Sequence, residues 1–220
     1  MTAPIKVDGK NYQHHSKLVP TDGSPSPLAG ESVDRQSFFP KKKKRMPLNN
    51  TAGAYVTLGG RNILLVIDKN NVAPGSGEWR LIAETAAHLE KCYPTLSPQA
   101  KTALANLRAV VFSAKPERSY ADVRPDLFFY DTDELKRSDG SMNTAAWTAS
   151  CIVHDANHIW QHDNGKEWTG ERAETECWKL QVDNKAGLGL SDGEVAHLNS
   201  FIADPKKILG RANSATFARR

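Results

Sequence analysis

His154 and His158 stand four residues apart, with no glycine or proline between them. On a helix, residues at that spacing leave the same face about one turn apart. Two imidazoles placed so can bind one zinc ion. Asp155 directly follows the first histidine, so a carboxylate would stand beside that ion and could take a proton from a water molecule there. The chain holds seven histidines in 220 residues, enough for one such pair to arise by coincidence, and the elements around it decide its weight.

Two helices must position these groups. The first is expected to open at Asn143 or Thr144, both good N-caps, to run about five turns and to stop at Asp163-Asn164-Gly165. Trp147, Cys151, His154 and His158 form one stripe along it, and Ala145, Ala146, Ala149, Ile152, Val153, Ala156 and Ile159 cover most of the rest. A helix apolar nearly all round is expected at the centre of a fold. After the turn, Thr169 can cap a second helix that ends at Gly187 as its C-cap. Glu171, Glu174, Trp178 and Gln181 share one face of it, and a short connection turns that face back toward the histidines. Glu171 and Glu174 are therefore both candidates for a third ligand.

The pair of segments resembles the active site of a zincin metallopeptidase of the glutamate-ligand type, which carries H-E-x-x-H on one helix and E-x-x-A/C on the next. The resemblance implies that His154 and His158 are metal ligands, that Asp155 occupies the place of the general base, and that Glu174 is the third ligand, with Glu171 as runner-up. It also implies Zn2+ as cofactor, a peptide or protein substrate, and an edge strand lining the cleft, for which Leu127, Phe128, Phe129 and Tyr130 are the candidates. An extended peptide could add to such an edge through main-chain hydrogen bonds. The departure is aspartate for glutamate at Asp155. The metzincin variant does not fit, because His162 follows His158 too soon.

The expected chemistry follows from that ligand set. Two imidazoles and a carboxylate leave a fourth position open, where zinc brings the pKa of water toward ~7. Tyr120, Tyr130, His197 or an arginine could steady the developing oxyanion. Three functions remain open at the level of sequence: a zinc-dependent hydrolase cutting peptide bonds, as an effector or toxin would; a metal-bound module without turnover; and a metal-free interaction protein whose histidines are core residues.

Composition bounds the alternatives. A 24.2 kDa chain with 39% hydrophobic residues is one domain with tails. It shows no Sec-type signal and no apolar run of the ~18 residues a membrane helix needs. The expected location is the cytoplasm, or outside by a route without such a signal. Of the net charge of +4, residues 1–45 contribute +5, so the remaining residues sum to −1 and give no electrostatic footing for nucleic acid. Three cysteines, Cys92, Cys151 and Cys177, have no paired spacing and are expected as small buried side chains, although Cys151 and Cys177 could approach each other or the metal.

Residues 1–50 are proline-rich and basic, lack apolar periodicity and read as a disordered segment, a place for a delivery or immunity partner. The run Lys41 to Arg45 reads as a polyanion-binding or nuclear-localisation patch, or as a solvated linker. Residues 51–209 form the expected folded body, and residues 210–220 a loose tail. Within the body, Ala54 to Leu58, Gly59-Gly60 and Arg61 to Ile67 predict a hairpin, with Ile63 to Ile67 as a central strand. A helix from Glu78 to about Cys92, another begun by Ser97-Pro98, strands at Val110 to Ala114 and Leu127 to Tyr130, and a last helix opened by the capping box Ser191-x-x-Glu194 complete the order. The predicted class is α+β, a small mixed sheet packed on helices, similar to a minimal zincin core.

Overall fold

The structure is a computed structural model that describes residues 5–7, 10–12, 31–33, 46–48, 50–114, 119–124 and 126–206. Lys41 to Arg45 and residues 210–220 lie outside the described residues. Ahead of the body, strands β1 (Ile5–Val7) and β2 (Lys10–Tyr12) pair antiparallel, as do β3 (Glu31–Val33) and β4 (Met46–Leu48).

Eight-residue strands β5 (Thr51–Leu58) and β6 (Arg61–Asp68) form the predicted hairpin. Its turn holds Gly59 and Gly60 at φ +58° and +82°, the left-handed geometry that two-residue hairpin turns require. A Cβ on Gly59 would stand 2.7 Å from the Tyr93 ring, so the turn is also a place of close approach. Helices α1 (Gly77–Cys92) and α2 (Pro98–Asn106) then cross to β7 (Ala109–Ser113), which lies parallel to β6. Ser76 and Ser97 cap the two helices through their side chains.

Strands β8 (Tyr120–Asp122) and β9 (Leu127–Asp131) complete a five-stranded mixed sheet in the order β5-β6-β7-β9-β8. This corrects the expectation for Leu127, Phe128, Phe129 and Tyr130. Their strand is not an edge: β7 pairs with it in parallel on one side, and β8 pairs antiparallel with Leu127 to Phe129 on the other. All four residues are buried, and the backbone groups a peptide would need are already used within the sheet. Strand β8 takes the edge.

Side chains alternate between the faces of the sheet with the period of two that a strand imposes. Ile63, Leu65, Ile67, Val110, Phe112, Phe128 and Tyr130 join the helices in the main core. Helix α3 (Ala145–Asp163) runs through that core, capped by the Thr144 hydroxyl, and packs on α1, α2 and α4 and on strands β8 and β9. Helix α4 (Glu171–Asp183) follows, then the single turn α5 (Lys185–Leu188) and α6 (Asp192–Ala203), whose Ser191–Glu194 capping box is fully formed. Two expected helix ends differ. Gly170, not Thr169, is the N-cap of α4, and the left-handed residue that ends the following turn is Gly189 at φ +69°, not Gly187.

Candidate metal centre

The α3–α4 hairpin brings the histidine face of one helix onto the glutamate face of the other. Glu174 belongs to the first turn of α4, where a carboxylate is favoured by the helix dipole. Its Oε2 lies 3.1 Å from His154 Nε2 and 3.5 Å from His158 Nε2, and the two Nε2 atoms are 3.1 Å apart. Tetrahedral zinc with ligand atoms at ~2.1 Å separates those atoms by roughly 3.4 Å. The triangle of three atoms therefore has the size a single ion needs. Glu171 is exposed, and its carboxylate reaches neither histidine.

Two buried glutamines hold the imidazoles from behind. Gln181 Oε1 lies 3.0 Å from His154 Nδ1, while its amide nitrogen donates to Ser150 Oγ at 2.8 Å. Gln161 Oε1 lies 3.2 Å from His158 Nδ1, while its nitrogen donates to Glu176 Oε2 at 3.1 Å and to the Ala173 carbonyl at 3.4 Å. With each amide nitrogen so occupied, each amide oxygen must face a ring, and each Nδ1 must be the donor. Both histidines are thereby set in the Nδ1–H form, with their Nε2 lone pairs turned on Glu174.

Three acceptors aimed at one another require a cation or proton among them. The pKa shifts express that demand. Burial pulls the His154 imidazole down, but its neighbours Cys177 and the Glu174 carboxylate outweigh that and hold the group up at about 9. His158 is subject to the same opposition and is held well above its ordinary value. Burial raises Glu174, yet the two imidazoles prevail and carry it well below the usual carboxylate range.

Cys177 offers another donor. Its sulfur and one ring nitrogen from each histidine lie within 4.8 Å of one another, so His154, His158 and Cys177 also form a group that could hold a metal. The carboxylate set is the better fit. Cys177 Sγ sits 3.6 Å from His158 Nδ1, the nitrogen that donates to Gln161 Oε1, and it accepts from Asn157 Nδ2 at 3.3 Å. A metal at Nε2 would take the place of the proton shared there with Glu174 and leave both Nδ1 contacts intact. Cys151 goes elsewhere: burial, with Asp155 adding to it, pushes its thiol up to about 12, and Tyr130 is its hydrogen-bonding neighbour.

Asp155 is half-buried and makes no hydrogen bond or ion pair among the described residues. Burial pushes its carboxyl up to about 6; the two imidazoles oppose that rise, and Glu174 and Glu134 reinforce it. The candidate oxyanion partners fare differently. Tyr130 is buried against Phe112 and Phe128, and Tyr120 stacks on Phe129 on the sheet face whose cluster includes no residue of a described helix. His197 of α6 is exposed and forms an aromatic row with Trp147 and Phe201, continued by Trp178, whose ring lies 6.2 Å from His154. His162 turns away to Asp163 and Trp168. Gln161 was not singled out by sequence spacing. The signal for it was an amide side chain three residues beyond His158, on the same side of the helix as that histidine.

No family model, curated protein or solved structure matches the chain.

Proposed function

We propose that the protein is a zinc-dependent hydrolase acting on peptide bonds, with His154, His158 and Glu174 as ligands and Asp155 as general base. The observation that supports it most is the convergence of the two Nε2 atoms and Glu174 Oε2 in a triangle of 3.1, 3.1 and 3.5 Å. When bound, zinc would supply Lewis acidity and bring a water molecule's pKa toward ~7. The chain's own groups do the rest. Gln181 and Gln161 keep both rings in one tautomer and one orientation. Asp155, next in sequence to His154 and without a hydrogen-bond or ion-pair partner among the described residues, takes a proton from water and returns it to the leaving amine. A carboxyl raised to about 6 is ionised at neutral pH yet basic enough to accept that proton. The peptide bond as substrate is what the resemblance to glutamate-ligand zincins implies.

A metal-bound module without turnover is the second reading, favoured by the shorter reach of aspartate. Metal analysis of the purified chain, with cleavage of an unfolded protein measured with and without chelator, separates the two. The proposal expects one zinc per chain and turnover that chelation abolishes. A chain that takes up no zinc sinks both readings, and a zinc-loaded chain that cleaves nothing leaves the second.

A further inference from the structure

The sheet has two apolar faces, and the described helices cover one. From the other face Tyr55, Leu64, Val66, Val111, Leu127 and Phe129 project as a cluster of their own, to which no residue of a described helix belongs. Each of these side chains is nonetheless 7% exposed or less. Strands β6, β7 and β9 run parallel, and parallel strands are found with both faces covered. An open apolar patch of this extent would be rare on a monomer.

The chain ahead of β5 is placed to supply the cover. Strand β4 ends at Leu48, and β5, an edge of the sheet, begins at Thr51. Because β3 pairs with β4, residues as far back as Glu31 are tied next to that edge. The segment also brings apolar side chains, among them Leu28, Phe38 and Phe39, and a net charge of +5 opposite in sign to the −1 of the remainder. We propose that the helix-free face of the sheet is the docking surface of the chain's own N-terminal segment, which makes a third layer over it.

The test uses the full chain with a specific protease sequence inserted between Arg45 and Met46. Mass in solution, binding of a hydrophobic dye and melting temperature are measured before and after cutting. The proposal expects the cut fragment to stay attached at the mass of the uncut monomer with no dye uptake. It is equally supported if the fragment leaves and the body then binds dye and melts at a lower temperature. It is overturned if the fragment leaves a monomeric, dye-negative body with an unchanged melting temperature, since the face then needs no such cover. Departure of the fragment from a body that is already paired with a second copy before cutting also overturns it, because the copy is then the occupant.

Discussion

Gln161 and Gln181 orient the two imidazoles with neutral amides, where a carboxylate would add charge and basicity. Negative charge at the centre therefore comes from Glu174, whose Oε2 touches both rings. Glu174→Gln is expected to lower zinc affinity far more than Glu171→Gln, because Glu171 is exposed and reaches neither ring. Calorimetric titration with zinc measures both, and equal losses would remove Glu174 from the ligand set. Asp155 poses a separate question. Asp155→Asn should leave zinc bound but lower turnover by ~10²–10⁴-fold, the usual worth of a general base. Asp155→Glu lengthens the side chain by one methylene and should keep or raise turnover. If zinc occupancy is full in both variants and neither changes turnover, the proton is carried by another group.

Among the elements, the hairpin turn and the helix caps are where single residues decide local structure. Gly59→Ala places a Cβ at φ +58° and against the Tyr93 ring, whereas Gly60→Ala meets nothing within 4 Å. The left-handed conformation alone costs an L-residue about 1–2 kcal/mol, so both variants should lose stability in denaturant titration, Gly59→Ala the more. Equal losses would show that Tyr93 simply moves aside. The same elements show why some of the fold was legible and some was not. Ser76, Ser97, Thr144 and Ser191 each cap their helix by accepting from the backbone three positions on, and such local chemistry can be read along the chain. The position of β9 depends on β8, a three-residue strand with no periodic pattern, and its pairing is decided by the assembled sheet. Gly187 reads along the chain as a helix end, which it is not. A Cβ there would stand 3.2 Å from the Thr95 carbonyl oxygen, so its small size answers to packing against a distant turn, which spacing along the chain does not show. Helical periodicity places the histidine pair on one face and Glu171 with Glu174 on one face of the next helix; it leaves open which carboxylate meets the rings, and the packed hairpin brings Glu174 to them. Gln161 was not legible, because its role appears only when α4 is in place.

At the scale of the whole molecule, proton and metal compete for one position, and stability should report which is there. In the metal-free protein, His154 is raised from its usual 6.5 to about 9, so its contribution is full below ~6.5 and is lost as pH climbs through about 9. Glu174 is lowered from its usual 4.5, so its contribution is present above that value and is lost on acidification. Zinc reverses the alkaline limb, because it binds the deprotonated rings and gains as protons leave. Melting temperatures between pH 6 and 9.5 should fall with pH in chelator and rise or hold steady in zinc. Parallel curves would mean that no metal enters among these side chains.

His154, His158 and Glu174 lie on consecutive helices, within 21 residues of one another along the chain, while the sheet joins strands that two helices separate. Closing the αα-hairpin costs little loop entropy, and pairing β6 with β7 costs more. An ion could therefore be captured by the hairpin while the sheet is still unformed, which would make zinc part of the folding nucleus as well as of the finished site. Stopped-flow refolding should then be faster with zinc than with chelator, and His158→Ala should abolish the difference. If zinc only slows unfolding, it joins after the transition state, and the hairpin waits on the sheet.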